Sequence, residues 1–222
     1  MAGHNQEYIP ALSFRALTPF YDLIQRWLVR DVIYKRQLIE QAKIQPGQRV
    51  MDLGCGTGTL AIMVKQAQPD AEVFGLDADP EMLGVARAKA AEAGVAVAFD
   101  EGMTFALPYP DGSLDRVLSS VMIHHLKTPD KERTAREIHR VLRSPDAVSG
   151  KPGGQLHIID FGKPSSFYGK LLGPFLHGFE EANDNIDGRL PEIFGTPGLT
   201  VREMGDFQTF FGSLTFLYGQ KS

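Results

Sequence analysis

Val50-Met51-Asp52-Leu53-Gly54-Cys55-Gly56-Thr57-Gly58 decides the fold of this chain. An apolar run meets an acidic residue and then breaks into Gly-x-Gly-x-Gly. That order describes a buried strand entering a tight turn that opens a helix. Glycine suits such a turn because it takes positive φ freely and lets a ligand touch the backbone. The first N–H groups of the following helix have no partner within it, so they point into the crevice beyond the strand.

Away from this stretch strand and helix alternate, which predicts a parallel sheet covered on both faces. A helical preface runs from Pro19 to about Ala42, with Phe20, Leu23, Ile24, Trp27 and Leu28 on one stripe. Gln48–Leu53 is the first strand and Thr57–Gln68 the helix after it. Ala71–Leu76 follows as a strand, ending at Asp77. Asp79 caps the next helix with Pro80 at its first position, and Gly94 stops it. Further strands are predicted at Val95–Phe99, Leu114–Ser120, Gln155–Ile159 and Thr200–Met204, with a helix from Thr128 between the second and third of these. Phe211–Gly219 is expected to lie antiparallel at or near an edge. The architecture expected is α/β: a Rossmann-like doubly wound sheet of about seven strands, mostly parallel with an antiparallel C-terminal strand, preceded by N-terminal helices. Residues 1–222 read as a single domain, with 19–43 as a helical cap.

Composition narrows the function classes. Hydrophobic content of 43% and charged content of 23% are ordinary for a globular protein. Net charge is −4, and Arg26, Arg30, Lys35 and Arg36 are interleaved with Asp22, Asp31 and Glu40. Such scatter gives no phosphate-backbone footprint, so nucleic acid is not an expected partner. The single cysteine, Cys55, excludes an internal disulfide framework and fits a reducing compartment. No apolar stretch reaches membrane-spanning length and no signal-peptide pattern opens the chain, so a cytoplasmic location without stable membrane insertion is expected. The sequence leaves the oligomeric state open, a homodimer included.

The glycine spacing separates two ligand classes. Dinucleotide sites use Gly-x-Gly-x-x-Gly, whose third glycine packs helix against strand. Counting from Gly54, that position is Thr59, which disfavours a nicotinamide dehydrogenase. Asp52, two residues before the first glycine, sits badly beside a pyrophosphate but would welcome a cation. S-adenosylmethionine is such a ligand, with a sulfonium and an ammonium against one carboxylate. The stretch resembles the first motif of the class I S-adenosylmethionine-dependent methyltransferases. Within them the whole chain resembles the ubiquinone/menaquinone-biosynthesis-like (methyltransferase type 11) branch.

The resemblance implies a set of cofactor-binding residues. Asp52, Gly54, Cys55, Gly56 and Gly58 belong to the first motif; Cys55 is read as a small apolar residue in a crowded turn, not a nucleophile. Asp77, about 20 residues past the glycine loop, is the acid that accepts the ribose hydroxyls in such proteins. Ala78 and Asp79 pass beneath the adenine, and Met82 reaches either the adenine or the helix core. Gly102-Met103-Thr104-Phe105-Ala106-Leu107-Pro108-Tyr109 resembles the family's Gly-Asp-Ala-x-x-Leu-Pro-Phe. Met103 departs from it, standing where an acid often accepts from the adenine amino group. Its thioether covers a ring but cannot accept that bond; Asp100 or Glu101 could substitute through a shifted loop. Ser119 ends a strand beside the methionine arm. Tyr21, in Tyr21-Asp22, resembles a residue that closes over the cofactor from the N-terminal helix, and serves core packing equally well.

Methyl transfer is an in-line displacement, so a protein mainly aligns nucleophile and methyl, a contribution of about 7–11 kcal/mol. No residue announces itself as catalytic; His124, His125 and Asp160 are the candidates by position. Local packing is the default for the histidines, and no metal site is expected since neither has a third ligand at sensible spacing. The acceptor is expected to be a small, partly apolar molecule held over 161–198. There Phe167, Tyr168, Leu171, Leu172, Phe175, Leu176 and Phe179 recur at helical spacing, as core packing or as a pocket roof. Glu180, Glu181, Asp184 and Asp187 read as a solvated face. The eight residues Ser144–Lys151 precede Pro152-Gly153-Gly154 and read as a tolerated surface loop. Two other functions fit the same residues: methylation of a quinone precursor or lipid at a membrane surface, and S-adenosylmethionine binding without catalysis.

Overall fold

A computed structural model describes residues 31–148, 150–163, 180–209 and 212–222. A first helix, α1 (Asp31–Ala42), leads into β1 (Arg49–Leu53), α2 (Thr59–Ala67), β2 (Glu72–Asp77), α3 (Pro80–Glu92), β3 (Ala98–Glu101), β4 (Arg116–Ser120), α4 (Thr128–Val141) and β5 (Gln155–Phe161). Two short helices, α5 (Asn183–Ile186) and α6 (Leu190–Phe194), precede β6 (Leu199–Thr209) and β7 (Gly212–Lys221). The strands form one seven-stranded sheet in the order β3-β2-β1-β4-β5-β7-β6. β1 to β5 are mutually parallel, and β7 runs antiparallel to both β5 and β6. The expected Rossmann-like sheet is therefore present.

Chain direction across this sheet reverses at β1. The chain moves outward to β2 and β3, then returns to β4 on the other side. In open α/β sheets the crevice beyond the carboxyl ends at such a reversal is where ligands bind. Register keeps those ends level: Leu53 lies opposite Leu76, and Asp52 opposite both Gly75 and Leu118. Both faces of the central strands are covered, which explains their unbroken apolar character. Met51, Leu53 and Leu76 face one core layer with α4 and α6; Val50, Leu118 and Ile159 face the other with α1, α2 and α3.

Several boundaries differ from the sequence reading for local reasons. The strand expected at Val95–Phe99 begins only at Ala98. Gly94 turns to φ 65°, and the Val95 N–H donates to the Ala90 carbonyl at 3.0 Å, so Val95 closes α3 instead of opening β3. α2 starts at Thr59, because Gly58 at φ 73° is its N-cap. β6 is twice as long as expected and forms the edge, while β7 lies one place inside it. Pro19–Arg30, with Tyr21 and the apolar stripe, lie outside the described residues, as do Phe167 through Phe179.

The acidic stretch read as solvated is corrected in part. Asp187 is exposed, but Asp184 is buried. Its carboxylate accepts from the Thr128 hydroxyl at 2.6 Å, the Lys131 ammonium at 3.3 Å and Arg189 at 2.7 Å. Lys131 is itself fully buried and also donates to the Glu181 carbonyl at 2.6 Å. This network fastens the 180–190 segment to the start of α4. The described residues of 144–151 lie at the amino edge of β5, opposite to the crevice, with a bridge between Asp146 and Lys151.

Candidate active site

The turn after β1 uses its three glycines for three purposes. All have positive φ: Gly54 68°, Gly56 51° and Gly58 73°. A Cβ on Gly54 would come within 2.2 Å of the Met122 side chain, so this glycine lets the turn after β4 close against the loop. A Cβ on Gly58 would meet Ala86 and Phe99 at 2.8–2.9 Å, so this one seats the loop against α3 and β3. A Cβ on Gly56 would meet nothing within 4 Å. Gly56 is the open glycine, and its backbone faces the crevice.

Asp77, at the end of β2, braces the same loop. Its carboxylate accepts from the Gly56 N–H at 2.7 Å and the Asp79 N–H at 2.9 Å. Burial lifts its pKa, against the pull of these donors. A carboxylate has about four acceptor sites, so Asp77 keeps capacity for donors arriving through the crevice it lines. Asp79 caps α3 as expected, accepting from Glu81 and Met82.

Asp52 acts from below. It is 2% exposed, and its carboxylate accepts from the Ala61 N–H at 3.0 Å in the first turn of α2. Burial pushes its pKa up to about 7, opposed by the Lys35 ammonium. The expectation of a direct contact with ligand is not what this placement provides; Asp52 ties the helix to the strand beneath the loop.

The opposite wall is the turn after β4. Ser119, on the strand end expected beside the methionine arm, turns its hydroxyl inward and donates to the Leu53 carbonyl at 2.9 Å with no exposed surface. Ser120 faces the crevice instead. Val121 has φ 52°, an uncommon conformation for a β-branched residue. Asp160 holds the turn there. One of its oxygens accepts from the Met122 and Ile123 N–H groups at 3.0 and 2.7 Å; the other faces His124 Nδ1 at 2.8 Å and accepts from the Phe161 N–H. Burial alone would raise the Asp160 pKa, but His124 and these donors outweigh it and hold the carboxyl below its usual range. Asp160 therefore orients the turn and is no base for a substrate it cannot touch. His124 packs edge-on to Phe161, with His125 tilted beside it at 4.0 Å. His125 lines the crevice with an exposed edge; desolvation by its walls and the neighbouring His124 hold it neutral at pH 7.

α1 supplies the third side. Asp31, Tyr34 and Lys35 line the crevice with Thr57, Thr59, Ser120, Val121 and Met122. None of these eight belongs to the cofactor-binding set that the sequence implied, although Thr57 lies in the glycine motif and Ser120, Val121 and Met122 follow Ser119 at the strand exit. Asp31, Tyr34 and Lys35 are spaced three and four apart, the one signal that could have placed them on a common helix face. The crevice is open to solvent, and about 600 Å³ of unfilled space, open solvent included, lies between its walls.

The sequence-derived set is thus divided. Gly54, Cys55, Gly56, Asp77 and His125 meet at the crevice. Ala78, Gly102 and Met103 are half-buried at the ends of β2 and β3, where the Gly102 N–H donates to the Asp77 carbonyl at 2.9 Å. Met82 is buried in the core face of α3, and the Thr104 hydroxyl is paired with Thr134 at 2.9 Å. Asp100 is engaged by the Tyr109 hydroxyl at 2.8 Å and Glu101 is exposed, so neither has shifted to replace the acid missing at Met103. Cys55 is buried beside Gly75, and burial pushes its thiol pKa up, which fits a packing role. Among the described residues no cluster of His, Cys, Asp and Glu could hold a metal ion, and no helix is long and apolar enough to cross a membrane.

Comparison with known proteins agrees with this geometry. The methyltransferase domain family matches residues 50–145. A demethylmenaquinone methyltransferase of Thermus thermophilus is 35% identical over 189 residues, 81% of each chain. A ubiquinone/menaquinone biosynthesis C-methyltransferase of Xanthomonas campestris is 30% identical over 186 residues, 81% of this chain and 69% of the relative. A crystal structure of an S-adenosylmethionine-dependent methyltransferase from Aquifex aeolicus shares the fold, with a TM-score of 0.59 at 17% identity over 93% of this chain and 97% of that one.

Proposed function

The chain belongs to the class I S-adenosylmethionine-dependent methyltransferases of the ubiquinone/menaquinone-biosynthesis type, and on that premise we propose that it methylates a ring carbon of a reduced quinone precursor. The observation that carries the acceptor class is the 35% identity to a demethylmenaquinone methyltransferase over 81% of both chains. Carbon methylation needs an electron-rich ring, which is the hydroxylated, reduced form of a quinone.

The residues of the crevice fit the methyl donor. Gly56 offers backbone without a side chain, Asp77 has acceptor sites to spare for a ribose, and the acidic walls suit a cation. S-adenosylmethionine supplies an electrophilic methyl group on a sulfonium that leaves without help from an acid. We assign the ribose to Asp77, the adenine to the half-buried Ala78, Asp79, Gly102 and Met103, and the methionine arm to the space between Gly54 and the turn after β4. Asp52, Gly58, Ser119 and Asp160 act by shaping these walls. We assign His125 the role of taking the acceptor's hydroxyl proton, since it is neutral at pH 7 and opens on the crevice; the methylated ring then sheds the proton of the substituted carbon as the phenol re-forms, and one proton is released overall.

The test is transfer of an isotopically labelled methyl from S-adenosylmethionine to a detergent-dispersed, reduced naphthoquinone bearing an isoprenoid chain and a free ring position. A new labelled aromatic C-methyl is expected. Label on oxygen, or no transfer to naphthoquinols and benzoquinols alike, would overturn the acceptor assignment.

A further inference from the structure

The family match begins at residue 50, yet one side of the crevice belongs to α1, which ends before it. α1 is bolted at its far end, where the Ala42 carbonyl accepts from Arg116 Nε at 3.0 Å at the start of β4. Leu38 and Ala42 are fully buried, and Tyr34 meets Phe207 edge-on at 5.9 Å between centroids. The helix therefore starts at the carboxyl edge of the sheet, where its first turn stands at the mouth of the crevice, and runs to the amino edge.

That turn carries a charged constellation. Asp31 is 3% exposed. Its carboxylate accepts from the Tyr34 hydroxyl at 2.6 Å, and Lys35 Nζ lies 2.8 and 2.9 Å from its two oxygens. A plain i,i+4 surface pair would sit in water and contribute a few tenths of a kcal/mol. This pair is largely removed from solvent, with side-chain exposures of 13% for Lys35 and 5% for Asp31, and both residues face the cleft.

We propose that Lys35, clamped by Asp31 and Tyr34, is the subsite for the carboxylate of the methyl donor's amino-acid head. The reasoning is one of charge and donors, and it rests on the reading of the cleft as a methyl-donor site. Two carboxylates line the cleft, Asp31 and Asp77. Among the described lining residues Lys35 is the single cation, His125 being neutral. A ligand with two positive groups and one carboxylate matches an acidic cleft everywhere except at that carboxylate, which needs Lys35. An ammonium has three donors, so Lys35 can hold Asp31 and a ligand carboxylate together. Asp31 keeps the flexible lysine stem at the crevice, which removes the ordering cost that a free side chain would meet on binding.

Two nucleosides separate this subsite from the rest of the cleft. S-adenosylhomocysteine carries the amino-acid head, and 5′-methylthioadenosine lacks it. By titration calorimetry Lys35→Met is expected to weaken the first by about ten- to a hundredfold, the value of a charge-assisted hydrogen bond, and to leave the second unchanged. Retained methylthioadenosine binding also reports an intact fold. Asp31→Asn keeps the Tyr34 contact but loosens the clamp, and should produce a smaller loss confined to S-adenosylhomocysteine. Equal losses for both nucleosides, or no loss for either, would sink the subsite while leaving the methyl-donor cleft standing. A wild-type protein that binds neither nucleoside would overturn the cleft assignment and the subsite with it.

Discussion

Across the crevice from one another, the turn after β1 and the turn after β4 both place backbone at positive φ, at Gly54, Gly56 and Gly58 in the first and at Val121 in the second. In the glycine turn the conformation is native to the residues; no Cβ opposes it. In the other turn a β-branched residue is held where it does not belong, at a cost of about 1–3 kcal/mol. Asp160 offsets that cost by gathering three N–H groups and an imidazole onto one carboxylate. The buried acids behind the two walls behave oppositely as well. Asp52 is lifted to about 7 by burial, whereas Asp160 is held below its usual range because its donors outweigh burial. One wall is shaped by what its residues are, the other by what a distant residue compels.

Breaking the second wall should have the largest effect. Asp160→Ala strands the Met122, Ile123 and Phe161 N–H groups, and we expect a loss of roughly 3–5 kcal/mol in urea unfolding together with loss of S-adenosylhomocysteine binding. A cost under about 1 kcal/mol would mean the turn holds itself. Next comes the pH response of the first wall. The folded Asp52 keeps its proton up to about pH 7, while the unfolded carboxyl loses it near 3.8. Between those values the folded state binds more protons, so this residue makes stability fall as pH rises through the window. Asp52→Asn retains an acceptor for the Ala61 N–H and should flatten that slope, by up to a few kcal/mol, in melts run from pH 4 to 8. An unchanged slope would place the titration elsewhere.

Smaller effects distinguish the glycines. Gly54→Ala combines positive φ with a contact at 2.2 Å to Met122 and should cost roughly 2–3 kcal/mol, pushing the two walls apart. Gly56→Ala meets nothing, so its stability cost should stay near 1 kcal/mol, but its methyl enters the crevice and should weaken S-adenosylhomocysteine binding. Equal stability costs would erase the difference between them. The smallest effect is expected at Val121→Gly, where relief of strain is offset by a looser unfolded chain, leaving less than about 1 kcal/mol in either direction.

Legibility of the molecule in its sequence follows the same divide. The glycine turn, the Asp79 cap and the alternation of strand and helix depend on neighbours in the chain, and local pattern discloses them. The φ of Val121 depends on Asp160, 39 positions later, and nothing about a valine after two serines announces it. The strand end at Ser119 and Ser120 is legible, but which of the two side chains faces the crevice follows from period-two alternation along the strand, which sends Ser119 inward and Ser120 outward. Asp184 reads as solvated in the sequence because its partner Lys131 is 53 residues away. α1 was recognised as a helix, but its role at the crevice depends on how it docks, which composition and periodicity do not contain.

The position of β7 has a consequence for the birth of the protein. This strand, Gly212–Lys221, wedges between β5 and β6. The Lys221 ammonium then reaches the His139 and Leu142 carbonyls at the end of α4, both at 2.7 Å. A nascent chain leaving the ribosome can assemble β1 to β5 early, but β5 keeps a bare flank until the ten residues of β7 emerge. Translation stalled before them would leave a nearly whole sheet with an adhesive margin, which is the kind of intermediate that chaperones attend.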